Sequence, residues 1–228
     1  MANVKTPPKP RSPGGNGRTF LLALALIGTA LATPASARPR PTPASSPVDI
    51  GTLHLFAECL VDRYRPGVRR LLAMDYRSRS YDNLLRTLSD EGARCLPFAF
   101  GKLRSSGVLL AGAFAEALLP AALNGARLAD RVAYDPSRPP IAARDEGEYL
   151  GLCAVRTMPD EVAALLAAKP AKPEEQLAIA RIRQRLGSCI RAGAAARVNV
   201  PGLRALLALA AYRLVSQAAP PSPRPTGS

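Results

Sequence analysis

Apolar positions in this chain recur at helical spacing in short blocks, and the blocks form two series of four. In the first series, Leu53, Phe56, Ala57, Leu60, Val61 and Tyr64 repeat with the step of an amphipathic helix. Asp49 stands where it can cap that helix by accepting from an early N–H. Pro66 suits the first turn of a second, short helix, because its missing N–H has no partner there anyway. Val68, Leu71 and Leu72 give this helix its buried side. After a polar turn at 75–80, a third helix carries the stripe Tyr81, Leu84, Leu85 and Leu88, and Gly92 reads as its left-handed stop. Residues 96–104 read as irregular, with a short extended segment. Ser105 or Ser106 then caps a fourth helix running to about Leu119. That helix is apolar on nearly all sides, which predicts that other helices cover it.

The second series copies the first at an offset of 94. Cys59 and Cys95 fall on Cys153 and Cys189, Val61 on Val155, Val68 on Val162, and Leu71, Leu72 and Ala73 on Leu165, Leu166 and Ala167. Past the second cysteine a shift of one more residue brings Gly107 onto Gly202, Ala113 onto Ala208 and Leu119 onto Leu214. The helix starts are clearer in this copy. Pro159-Asp160-Glu161 and Pro173-Glu174-Glu175 place proline and acids at the positive end of the helix dipole. Gly187 ends the third helix of the copy, and Asn199 with Pro201 opens the fourth.

The expected fold is all-α: two tandem copies of a disulfide-clamped four-helix unit, related by a pseudo-twofold axis. The apolar fourth helices are expected to pack on each other. Two independent domains are the alternative. The copies span 49–119 and 148–217, joined by a linker at 120–147 in which Ala126 to Val132 can form a turn or two of helix. The Pro-rich stretches 38–48 and 218–228 bury nothing and read as a disordered lead-in and tail.

Residues 1–37 change the picture of where the protein works. Lys5, Lys9, Arg11 and Arg18 precede an apolar run from Phe20 to Ala32, and Ala35-Ser36-Ala37 supplies the small residues a signal peptidase reads. The run is shorter than the ~20 residues of a comfortable membrane span. A cleaved signal is expected, with mature protein starting at Arg38 in the periplasm or outside the cell and carrying no transmembrane span.

The four cysteines fit an oxidising compartment. Three pairings are open to them, and the repeat selects one. If each copy descends from a self-sufficient unit, its own two cysteines had to meet before duplication, giving Cys59–Cys95 and Cys153–Cys189. Each bridge is worth about 3.8 kcal/mol in the chain-entropy model. Units this small need such staples.

Charge adds a possible class of partner. The whole chain carries 31 basic and 17 acidic residues; without the four basic residues of the leader the balance is +10. Such an excess favours anionic surfaces and says nothing about fold. Arg181, Arg183 and Arg185 cluster on the third helix of the second copy as a candidate anion-binding face. Aromatic residues that would stack on bases are missing from that cluster, so nucleic acid is not an expected partner.

Catalytic chemistry finds no foothold. His54, the single histidine, is one turn from Glu58 and is expected to be a solvated helix residue; the second copy has Glu148 in its place. There is no G-x-S-x-G, no H-E-x-x-H and no phosphate-cradling glycine loop. The cysteine spacing suits neither a redox pair nor a zinc site. No enzyme, cofactor or metal is expected.

The leader, the paired Cys-x35-Cys helical units and the closing Leu/Ala-rich helix together resemble uncharacterised secreted proteins of proteobacteria with a tandem helical repeat. That resemblance implies no site residues. More distantly, a small helical chain with one disulfide per unit resembles the periplasmic acid-stress chaperones. The expected role is a non-enzymatic envelope protein that binds a partner protein or an anionic polymer through a helical surface. A chaperone-like stress protein of the periplasm is the alternative.

Overall fold

The computed structural model describes residues 47–95, 105–137, 139–191 and 198–218. The expected leader, most of the lead-in, residues 96–104 and most of the tail lie outside the described residues. All the regular structure described is helical: α1 (Pro47–Ala73), α2 (Arg79–Glu91), α3 (Gly107–Leu123), α4 (Leu128–Val132), α5 (Glu146–Thr157), α6 (Pro159–Ala167), α7 (Pro173–Arg185) and α8 (Val200–Ala218). Short 3-10 turns at Gly92–Cys95 and Leu186–Cys189 follow α2 and α7.

The two expected helices ahead of the first polar turn are the two segments of α1. They meet at Tyr64, which leaves the helical region at φ −127°, ψ 32° just before Pro66. The proline removes one helical hydrogen bond and its ring crowds the preceding turn, so the break falls there. The same break separates α5 from α6 at Met158, φ −139°, ψ 51°, ahead of Pro159. Positions 64 and 158 are equivalent under the offset of 94.

Caps follow from short polar side chains. The Ser78 hydroxyl accepts from Tyr81 N–H, Ser106 from Leu109 N–H, and the Asp145 carboxylate from Glu148 N–H. Two sequence expectations change. Asp49 lies inside α1, which already begins at Pro47. Gly92 is right-handed at φ −73°, ψ −1°, so no left-handed stop is made. Its requirement is steric, since a Cβ there would stand 2.8 Å from the Phe56 ring.

The disulfides are Cys59–Cys95 and Cys153–Cys189, with Cα atoms 5.7 and 5.6 Å apart. Each ties the first helix of a copy to the 3-10 turn after its third. The apolar fourth helices, α3 and α8, pack against each other over the most extensive helix pair in the molecule. Phe114, Leu118, Leu203, Leu207 and Ala211 are buried along that contact, and one apolar core runs on from it into both copies. Backbones come close here because small residues face each other. A Cβ on Gly112 of α3 would lie 2.5 Å from Ala205 Cα of α8, and one on Gly151 of α5 would lie 2.9 Å from the Leu206 carbonyl oxygen. No helix among the described residues is long and apolar enough to cross a membrane.

Candidate functional site

Among the described residues, Arg204 and Glu175 are the charged residues buried in the core, and they belong to one cluster. Arg204 projects from α8 and is 2% exposed. Its guanidinium takes Glu116 of α3 through Nε and Nη2, Glu175 of α7 through Nη1 at 3.0 Å, and the carbonyl oxygen of Ala168 at 2.8 Å. Burial works against the arginine's charge, but the hydrogen bonds it donates to its two carboxylate partners hold it. Burial pushes the Glu116 carboxyl up, and the guanidinium pulls it only part of the way back. Glu175 also accepts from Ala171 N–H at 2.6 Å, which fixes a loop residue in the left-handed region at φ 61°.

His54 completes the cluster, and the expectation of a solvated helix position does not hold. Its Nδ1 lies 3.6 Å from Glu116 Oε1 across the α1–α3 contact, and it forms no ion pair with Glu58. Burial, reinforced by the Arg204 charge, lowers its pKa to about 4, so the imidazole is neutral at ordinary pH. No nucleophile joins the cluster, and the space beside it is only about 10 Å³, too small for a ligand. It is a clamp between the copies. Sequence periodicity missed it because Arg204 and Glu116 each stand within a largely apolar stretch of helix. The lone Glu116 of α3 and an arginine within the apolar run of α8 were the available signal.

The repeat places a different surface at the equivalent positions. Under the offsets of 94 and 95, His54 corresponds to Glu148, Glu175 to Tyr81, Arg204 to Leu109 and Glu116 to Ala211. Glu148 and Tyr81 line a cleft of about 390 Å³ between α2, α3, α5 and α8, while Leu109 and Ala211 lie outside its wall. Val108, Ala111, Leu206 and Leu209 supply aliphatic wall, and Tyr81 and Leu85 face them from α2. One end is ionic. Arg144 holds Glu148 through Nε at 3.2 Å and Nη2 at 3.0 Å and also reaches the Met74 carbonyl oxygen at 2.9 Å. Arg213 of α8 pairs with the same carboxylate. Although burial opposes it, the hydrogen bonds from Arg144 and Arg213 keep Glu148 below the usual carboxylate range. The Tyr76 hydroxyl donates to Asp145, and the Arg144 guanidinium lies 5.2 Å from the Tyr76 ring centre.

The candidate anion-binding arginines of α7 are only partly available. Arg181 and Arg183 are exposed. Arg185 is spent within the fold, on Glu161 and on the Thr157 carbonyl oxygen at 3.1 Å. Arg191 is spent as well, 2.7 Å from Glu146 and stacked 3.9 Å from the Tyr149 ring centre. Among the described residues no group of three His, Cys, Asp or Glu is placed to hold a metal ion. No family model matches this chain, and neither does any curated protein or solved structure.

Proposed function

We propose that this chain is an exported, non-enzymatic binding protein of the cell envelope, and that its ligand lies in the cleft between α2, α3, α5 and α8. The observation that carries this reading is the asymmetry of two equivalent positions. One is filled by a fully engaged ionic cluster, and the other is an open, mostly aliphatic cleft with a preset ionic end. Its volume falls within the few hundred cubic ångströms usual for small-molecule sites. The fitting occupant is an amphipathic small molecule, with its apolar body on Val108, Leu206 and Leu209 and its polar end towards Arg144 and Glu148. The leader and the two disulfides support export, and the absence of a nucleophile beside His54 supports a role without catalysis.

A neutral naphthylamine dye tests the site. Oxidised protein should enhance its fluorescence saturably with one site per chain. Val108→Asp, at a position 43% exposed and so tolerant of the change, should weaken that binding by about tenfold or more. Unchanged dye affinity in Val108→Asp would remove the cleft from consideration. A second reading, an anionic polymer on the helical surface, is favoured by the exposed Arg181 and Arg183. The chaperone-like alternative requires α3 and α8 to part, because in the folded chain each covers the other.

A further inference from the structure

A second cleft, of about 380 Å³, lies at the other end of α3 and has a different chemistry. Arg65 and Arg69 from the second segment of α1 and Arg131 from α4 line it, and no carboxylate does. Asn124, Tyr212 and Ser216 add further hydrogen-bonding side chains, while Leu118 and Val215 form aliphatic wall. Arg65 has a loose partner in Asp62 at 3.8 Å. Arg69 and Arg131 make no ion pair among the described residues. The Nε of Arg131 is buried with no acceptor among the described residues. A guanidinium N–H buried without an acceptor is unfavourable, so the charge of Arg131 is only partly satisfied within the chain. The position is not a loose one: Leu128 and Val132, 5% and 3% exposed, anchor α4 on either side of Arg131.

We propose that this cleft is a binding site for a phosphate-bearing ligand of about sugar size, held by Arg65, Arg69 and Arg131. A phosphomonoester carries roughly −1.5 to −2 near neutral pH, which matches the two unpaired guanidiniums better than a single carboxylate does. The planar fork of arginine suits two oxygens of one phosphate. The volume exceeds that of a bare phosphate and leaves room for an attached ring against Leu118 and Val215. The site shares only Tyr212 with the aliphatic cleft and does not rest on the reading given to it.

Glucose 6-phosphate, inorganic phosphate and glucose serve as probes, titrated into the oxidised chain in chloride buffer and followed by calorimetry and by backbone amide shifts. Glucose 6-phosphate should bind saturably with shifts centred on α4 and the end of α3, and glucose should be silent. Arg69→Gln, an exposed change that spares the fold, and Arg131→Gln should each weaken binding by about tenfold or more. Arg181→Gln on α7 should leave it unchanged. Vesicles of phosphatidylcholine with and without phosphatidylglycerol separate the sources of the phosphate. Arg131-dependent sedimentation with the anionic vesicles assigns a lipid headgroup, and binding of the soluble ester alone assigns a free phosphorylated metabolite. Absence of saturable binding to every phosphate probe, or equal affinity in the wild type and both arginine variants, would overturn the proposal.

Discussion

The close approach of α3 to α8 gives a sharp test of the fold, through the single change Gly112→Ala. The added Cβ would stand 2.5 Å from Ala205 Cα and 3.0 Å from the Ala205 carbonyl oxygen. Carbon atoms rest at about 3.5–4.0 Å, so the helices must separate by about 1 Å, and a gap of that size forfeits a quarter to a half of each contact's attraction. Neither obstructing atom can turn away, since both belong to helical backbone. Because α3 and α8 form the largest helix contact, the cost should reach the upper end of the overpacking range, about 3 kcal/mol. For a chain of this length that lowers Tm by roughly 6–12 °C. Gly51→Ala is the control. It lies inside α1 with nothing within 4 Å of its added Cβ, and the better helix propensity of alanine should raise stability by about 0.5–1 kcal/mol. Urea unfolding followed by circular dichroism measures both under oxidising conditions. A Gly112→Ala protein as stable as wild type would show that α3 and α8 do not approach as described, and the packing argument would fail with it.

Two further outcomes concern the buried cluster. Arg204→Leu strands Glu116 and Glu175 without their shared partner and should cost about 3–5 kcal/mol, whereas replacing all three with apolar residues should restore most of that; chemical denaturation of the single and triple variants decides. His54 is lowered from 6.5 to about 4 on folding, so between those values the unfolded state binds the proton more tightly and stability falls as pH falls. The loss should be about 2 kcal/mol by pH 5, and it should vanish in His54→Gln. Glu116, pushed up by burial, acts in the opposite sense at lower pH, which is why the comparison is best made above pH 5.

The helices and disulfides were legible because local rules set them. Proline at a first turn and serine before an apolar run each specify their structure within a few residues, and the repeat selects the cysteine pairing across 36 residues. The burial of α3 and α8 was legible for a related reason, since a helix apolar all round has nowhere else to go. What escaped was whatever depends on side chains meeting across elements. His54 reads as exposed from its own helix and is buried only because α3 lies over it. Gly92 reads as a conformational stop and is a glycine because Phe56 crosses it. Both clefts are surfaces of contact between helices distant in sequence. The charged network was still half visible, because a repeat exposes its own exceptions: Arg204 stands opposite Leu109, and Glu116 opposite Ala211.

Those exceptions bear on how the halves recognise one another. Each disulfide closes within one copy, whereas the ionic clamp spans both, joining His54 and Glu116 to Glu175 and Arg204. A cut in the segment between α4 and α5 would therefore leave no covalent bond between the halves, yet it would leave a matched pair. Two second halves put together would set Arg204 against Ala211 where Glu116 belongs, and two first halves would leave Glu116 facing Leu109. The fragments thus carry a lock that accepts the other half and refuses a twin, which suits them to reconstitution from separate chains as an obligate heterodimer.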